Sequence, residues 1–271
     1  MFKVMIRLKE VIAIANHKGG VGKTTTVQSI AAALVREKEG CRVLVIDLDE
    51  QMHLSMLFGW EPTGDDSRRT VYDAMQKGDS LPVYDTNREG VFMVPGSARM
   101  NTIDADLFRQ MSPKMVLAKC FRQPLEVHSQ ERLTTILESF DYVLIDCPPA
   151  LSQTTYNAMA VATGLLIPVQ MKGLSVNGVG KILVALREVQ QELNPTLTLK
   201  GILPTMVDGR PRLVRDFKEY MHKNFKGVTN TLVRSCIKID EAQTRLKDIY
   251  MYKPYSTVGE DYTKLTHELF G

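Results

Sequence analysis

A chain of 271 residues, 44% hydrophobic and 24% charged, is long and apolar enough to bury a sizeable core, which excludes a disordered or fibrous polymer. No run approaches the ~18 uninterrupted apolar residues of a membrane span, and residues 1–10 lack the apolar stretch of a signal peptide, so the expected setting is cytoplasmic. Four cysteines without a CxxC pair (Cys41, Cys120, Cys147, Cys236) and five histidines without ligand spacing exclude a disulfide scaffold and a structural zinc site, and a net charge of +3 leaves any strongly basic surface local.

In chain order, residues 11–15 read as a buried strand that runs into His17-Lys18-Gly19-Gly20-Val21-Gly22-Lys23-Thr24-Thr25, with a helix beginning near Lys23. Three glycines in four positions let backbone N–H groups approach phosphate oxygens closely, while the helix directs its positive end at the same anion. Lys23 is placed to reach the β- and γ-phosphates and Thr24 to ligate Mg²⁺. The spacing departs from G-x-x-x-x-G-K-[ST] in having the first glycine displaced toward Lys18, a second lysine with no evident target in its own subunit. Residues 42–51 read as another buried strand, ending in Asp47 and Asp49. Carboxylates there suit hydrolysis, which needs an acceptor to position water in line with a terminal phosphate.

Residues 61–88 read as loops over the sheet around a helix candidate at 71–76. The stretch 111–140 reads as mostly helical, a covering layer broken near Pro113 and Pro124. Residues 142–149 give a third apolar strand that ends in Asp146 and is stopped by Pro148 and Pro149. A carboxylate at that edge of a parallel sheet can hold a Mg²⁺ water. Residues 211–224 read as a helix with proline in its first turn. One face carries Leu213, Val214, Phe217, Tyr220 and Met221; Arg212, Arg215, Lys218, His222 and Lys223 occupy the other. This helix lies in a region, 200–247, that has 11 Lys/Arg against five Asp/Glu, and such a stripe suits salt-sensitive contact with duplex DNA. Arg210, Lys226, Arg234, Lys238, Arg245 and Lys247 are candidates to extend it. Residues 260–270 form a last helix candidate with Tyr262, Leu265 and Leu269 on one face.

The loop with its extra lysine resembles the deviant Walker A of the ParA/MinD family of ATPases. Asp47-Leu48-Asp49-Glu50-Gln51 is similar to the family's Asp-x-Asp-Pro-Gln element, with Glu50 in place of proline, and Asp146 takes the Walker B place. The resemblance covers about residues 11–270, with 90–96, 165–170 and 201–210 similar to further family strands; residues 237–240 depart from the family's Ile-Pro-Arg-Asn and leave the adenine contacts unassigned.

The resemblance implies a P-loop α/β three-layer sandwich, a mostly parallel sheet with helices on both faces. One domain would span 1–271, with 1–10 as an N-terminal extension and 61–140 as an insertion between the Walker elements. Its activity would be Mg²⁺-dependent ATP hydrolysis. Gly19, Gly20, Val21, Gly22, Lys23, Thr24 and Thr25 would hold the nucleotide, and Thr24, Asp47 and Asp146 the metal. Asp49 would orient the attacking water, and Lys18 would reach the other subunit's nucleotide. The ATP-state homodimer would coat nucleoid DNA without sequence preference, through Arg210, Arg212, Arg215, Lys218 and Lys223, and partition a plasmid or chromosome with a ParB-like centromere-binding adaptor. A MinD-like membrane-associated positioning ATPase is the alternative. It needs a basic amphipathic C-terminal anchor, whereas residues 260–270 carry Glu260, Asp261 and Glu268 against Lys264. Enzymes on the same scaffold, an iron protein or an amide-forming ligase, form a third class, but the scattered cysteines do not fit a shared cluster.

Overall fold

The computed structural model describes residues 7–61, 68–127, 135–171, 177–208 and 211–271. Eight strands form one sheet: β1 (Glu10–Ile14), β2 (Val43–Asp47), β3 (Pro82–Asp85), β4 (Val91–Val94), β5 (Glu126–Val127), β6 (Tyr142–Asp146), β7 (Gly164–Gln170) and β8 (Thr198–Thr205). They lie in the order β5-β3-β4-β2-β6-β1-β7-β8. The six from β4 to β8 are mutually parallel, whereas β3 runs antiparallel to β4 and carries β5 alongside it. This is the expected mostly parallel α/β architecture. The reversed edge was not foreseen: four residues opening with proline have no periodicity that marks a strand, and proline is tolerated near an edge.

The central strands are short apolar runs because both of their faces are covered. Val11 and Ala13 of β1 point into one core while Ile12 and Ile14 point into the other, as the two-residue strand period requires. One core is closed by α1 (Lys23–Glu37), α2 (His53–Leu57), α11 (Ile249–Tyr252) and α12 (Thr257–Phe270). The other is closed by α3 (Val71–Lys77), α4 (Ile103–Leu107), α5 (Val116–Phe121), α6 (Ile136–Ser139), α7 (Gln153–Val161) and α8 (Asn177–Glu192). Two further helices, α9 (Pro211–Asn224) and α10 (Ile237–Thr244), follow β8.

The stretch 111–140 is less helical than its spacing suggests: helix is confined to α5 and α6 among the described residues, with β5 between them. Pro113 and Pro124 do bracket α5, and its Val116, Leu117 and Cys120 are core residues, so the covering role holds. The last helix begins earlier than the pattern implied, at Thr257, because the Ser256 hydroxyl accepts the Gly259 N–H and caps it. Its apolar residues are packed inward, with Tyr262 1% exposed and its hydroxyl 3.3 Å from Thr26 Oγ1. Its acids are used internally: Glu268 accepts from the backbone of Asn230 and Thr231, and Asp261 pairs with Arg234 at 2.6 Å.

Candidate nucleotide site

Parallel pairing brings the carboxyl ends of β1, β2 and β6 to one edge, with Asp47 directly opposite Asp146 and Ile14 opposite Asp146 on the other side. The chain leaving β1 then turns through Gly20 and Gly22, both left-handed at φ 70° and 85°, a region glycine enters without steric cost. Gly22 precedes α1 without any side-chain cap, and the first turn of α1 has no acidic residue, so the N-terminal N–H groups and the positive helix end remain for an anion. The loop is tied down on three sides. Thr205 donates to the Val21 carbonyl at 2.8 Å, Asn16 accepts the Lys18 N–H at 3.1 Å, and the Asn16 amide donates to the Pro168 carbonyl at 2.7 Å.

Lys23 is 7% exposed and its ammonium donates to the Lys18 carbonyl at 3.3 Å. Burial lowers its pKa, an effect opposed by the negative charge of Asp146. Asp47 and Asp146 are each 1% exposed. Burial pushes the Asp47 carboxyl up to about 6, against hydrogen bonds from the Ser55 hydroxyl at 2.7 Å and the Ser55 N–H at 2.9 Å. Burial, reinforced by Asp47, drives Asp146 well above the usual carboxylate range. Neither Asp146 oxygen accepts a hydrogen bond of good geometry, although the Thr24 hydroxyl stands close enough to favour the charged form. Buried polar atoms without partners call for an explanation. A hard divalent cation supplies one: a hydroxyl and two carboxylates form an all-oxygen donor set, and Mg²⁺ completes its shell with water and phosphate rather than with a protein cage. Groups of three or more His, Cys, Asp or Glu able to hold a metal by themselves are absent among the described residues.

Above these groups lies a cleft of about 640 Å³ whose wall includes Gly19, Lys23, Thr24, Thr25 and Asp49. A smaller cavity of about 250 Å³ adjoins it through Gly22, Thr25, Met206 and Asp240, and is bounded by Cys236, Ile239 and Tyr262; its shape suits a base beside the phosphate loop. Sequence reasoning placed Met206 in the stretch 201–210, which resembles a family strand and turn bordering the base pocket, and assigned no role to Gln243 or His53. Met206 is left-handed at φ 50° where the two cavities meet, and the Gln243 amide donates to Thr25 Oγ1 at 3.1 Å. They come from segments far from the loop in sequence, and only the fold brings them there. Residues 237–240, which depart from the family pattern, open α10 on the rim of the smaller cavity.

The basic helix is less uniform than its pattern. α9 has the expected limits, but only Met221 of its apolar face is buried; Leu213 and Tyr220 are about half exposed. Arg212, Arg215 and Lys223 are exposed, with Arg215 near Asp216 and Glu219 at 3.9 and 3.8 Å. Lys218 instead turns its ammonium to the Asn230 carbonyl at 3.0 Å. Arg234 is paired with Asp261 and Lys238 with Glu241, and Arg210 lies outside the described residues.

The sequence matches a family described as an AAA domain across residues 9–199. It is 32% identical over 265 residues to the sporulation initiation inhibitor protein Soj of Bacillus subtilis, covering 96% of this chain and 98% of that protein. It is 34% identical to the chromosome-partitioning ATPase Soj of Thermus thermophilus, covering 95% and 94%. Among solved structures, cobyrinic acid a,c-diamide synthase from Mycobacterium smegmatis with bound ADP and magnesium superposes with a TM-score of 0.78 at 30% identity, covering 96% of this chain and 93% of that one.

Proposed function

The chain belongs to the ParA-type family of P-loop ATPases, and on that footing we propose that it is a Mg²⁺-dependent ATP hydrolase that dimerises on ATP, binds DNA without sequence preference and partitions a plasmid or chromosome with a ParB-like centromere-binding adaptor. The observation that carries this reading is one loop that holds a buried Lys23 beside Asp146 and presents a second lysine, Lys18, on a backbone fixed by Asn16.

In this reading residues 19–25 receive the phosphates on backbone N–H groups at the start of α1. Lys23 exchanges the Lys18 carbonyl for a phosphate oxygen. Thr24, Asp47 and Asp146 would hold Mg²⁺, which when bound neutralises charge on the β- and γ-phosphates. The diamide synthase with ADP and magnesium supports the same ligands here. Asp49, half-buried at the cleft, accepts a hydrogen bond from water and orients it toward the γ-phosphate. Lys18 compensates phosphate charge in the partner subunit, so ATP completes the dimer and its hydrolysis dissolves it. Arg212, Arg215 and Lys223 on α9 supply the DNA contacts, with Lys218 joining them once it leaves Asn230; the ATP form would reside on the nucleoid.

No described helix is long and apolar enough to cross a membrane, and the inward packing of Tyr262 and Leu265 leaves α12 without a free apolar face for a lipid surface. An amide-forming reaction has one observation in its favour, the name of the Mycobacterium neighbour. The test is binding to nonspecific duplex DNA with ATP, ADP or no nucleotide at low and high salt. Binding with ATP alone that falls steeply with salt is expected; absence of binding in every state overturns the DNA reading, and ATP turnover that needs an added acid and amine favours the ligase.

A further inference from the structure

The turn after β2 is strained and held from several directions. Met52 adopts a left-handed backbone, φ 53° and ψ 23°, where a side chain is costly. Strain of this kind persists only where the surroundings over-determine it, and it clusters at functional sites. Here Asp49 N–H donates to Asp47 Oδ1 at 3.1 Å, Gln51 N–H to Asp49 Oδ1 at 3.0 Å, and Met52 N–H to the Asp49 carbonyl at 3.1 Å. Ser55 binds Asp47 and also accepts the Gly96 N–H at 2.9 Å. Gly96 seals the turn from the other side, since a Cβ there would lie 3.0 Å from Asp47 Cγ.

This rigid turn delivers His53, the first residue of α2, into the wall of the cleft that contains Lys23, Thr24 and Asp49. The imidazole is exposed and makes no hydrogen bond or ion pair among the described residues. The charged groups facing the same cleft are Lys23 from α1, Asp49 from its own turn and Asp240 from α10. Asp49 cannot donate a hydrogen bond in its charged form; the turn's side-chain donors on the cleft are the Gln51 amide, which already donates to Glu50 Oε1 at 3.4 Å, and the imidazole of His53. We propose that His53 is a further catalytic residue of this cleft, donating a hydrogen bond from a ring N–H to a non-bridging oxygen of the terminal phosphate as charge develops there. In the step it assists, the water oxygen forms a bond to the γ-phosphorus and the bond to the β,γ-bridging oxygen breaks. The water proton passes to the phosphate product, and His53 keeps its own proton throughout.

This inference rests on the ATPase reading, and its test separates the two. The full chain, His53→Asn and His53→Ala are compared in single-turnover hydrolysis at saturating Mg·ATP. His53→Ala should lose about a hundredfold in rate, while His53→Asn, which keeps a donor, should retain part of it. Affinity for a fluorescent ATP analogue should change less than about threefold in both. Hydrolysis by all three at the same rate overturns the role of His53 and leaves the ATPase reading intact, as does a loss confined to nucleotide affinity or to thermal stability. No hydrolysis by the wild type overturns both.

Discussion

The nucleotide cleft and α9 both gather positive charge, and they do so in opposite surroundings. Lys23 is 7% exposed among carboxylates that are nearly fully buried, whereas Arg215 on α9 keeps 70% of its side-chain surface in water. Little solvent screens the first set, so a single group there changes binding or rate by orders of magnitude. The second set is screened, and each member contributes a small, salt-sensitive increment. The contrast separates a site that performs one chemical step from a surface that would hold a long polyanion loosely.

The sharpest test of the buried side is Asp49→Ala. Turnover of bound ATP should fall about a thousandfold while binding persists, leaving a long-lived ATP complex detectable by light scattering; normal turnover would remove Asp49 from the reaction. Next in size is the effect of proton uptake. Asp47 titrates at about 6 in the folded chain, against roughly 4 for an ordinary aspartate. Between those values the folded state carries a proton that the unfolded chain has released. Ligand-free stability is therefore highest below pH 4, as far as this group is concerned, and falls as pH rises toward 6. Asp47→Asn should flatten that slope, read by denaturant unfolding across pH 4.5–7.5. An unchanged slope would place the titration elsewhere. The smallest single-residue effects belong to α9. Replacing Arg212, Arg215 and Lys223 with alanine should lower the slope of log affinity against log salt by about one for each residue that meets a phosphate, with thermal stability barely moved. A slope equal to wild type would clear α9 of DNA contact.

The same contrast governs how much was legible in the sequence. The cleft was readable because a continuous apolar run that stops at a carboxylate marks the carboxyl end of a buried parallel strand. Asp47 and Asp146 therefore announced their edge of the sheet. α9 was readable as a helix but not as a surface. Spacing records which residues share a face, not what lies beneath it: Leu213 and Tyr220 stand about half in water, and Val214 borders a cavity shared with Arg215, Lys218 and His222. The Lys218 contact was not legible for a related reason: its acceptor, the Asn230 carbonyl, belongs to a segment that only tertiary structure brings near. Gln243 has no motif around it and meets Thr25 across more than two hundred positions of chain.

The bond between the Lys23 ammonium and the Lys18 carbonyl gives the nucleotide-free loop an internal stand-in for its ligand. An arriving phosphate meets a cation already occupied by backbone oxygen, so loading is a substitution and the affinity measured is a difference between two oxygens. The displaced oxygen belongs to the peptide unit of the other lysine. In the proposed cycle that exchange would free the Lys18 carbonyl, so loading would be felt at the residue proposed to reach the neighbouring subunit.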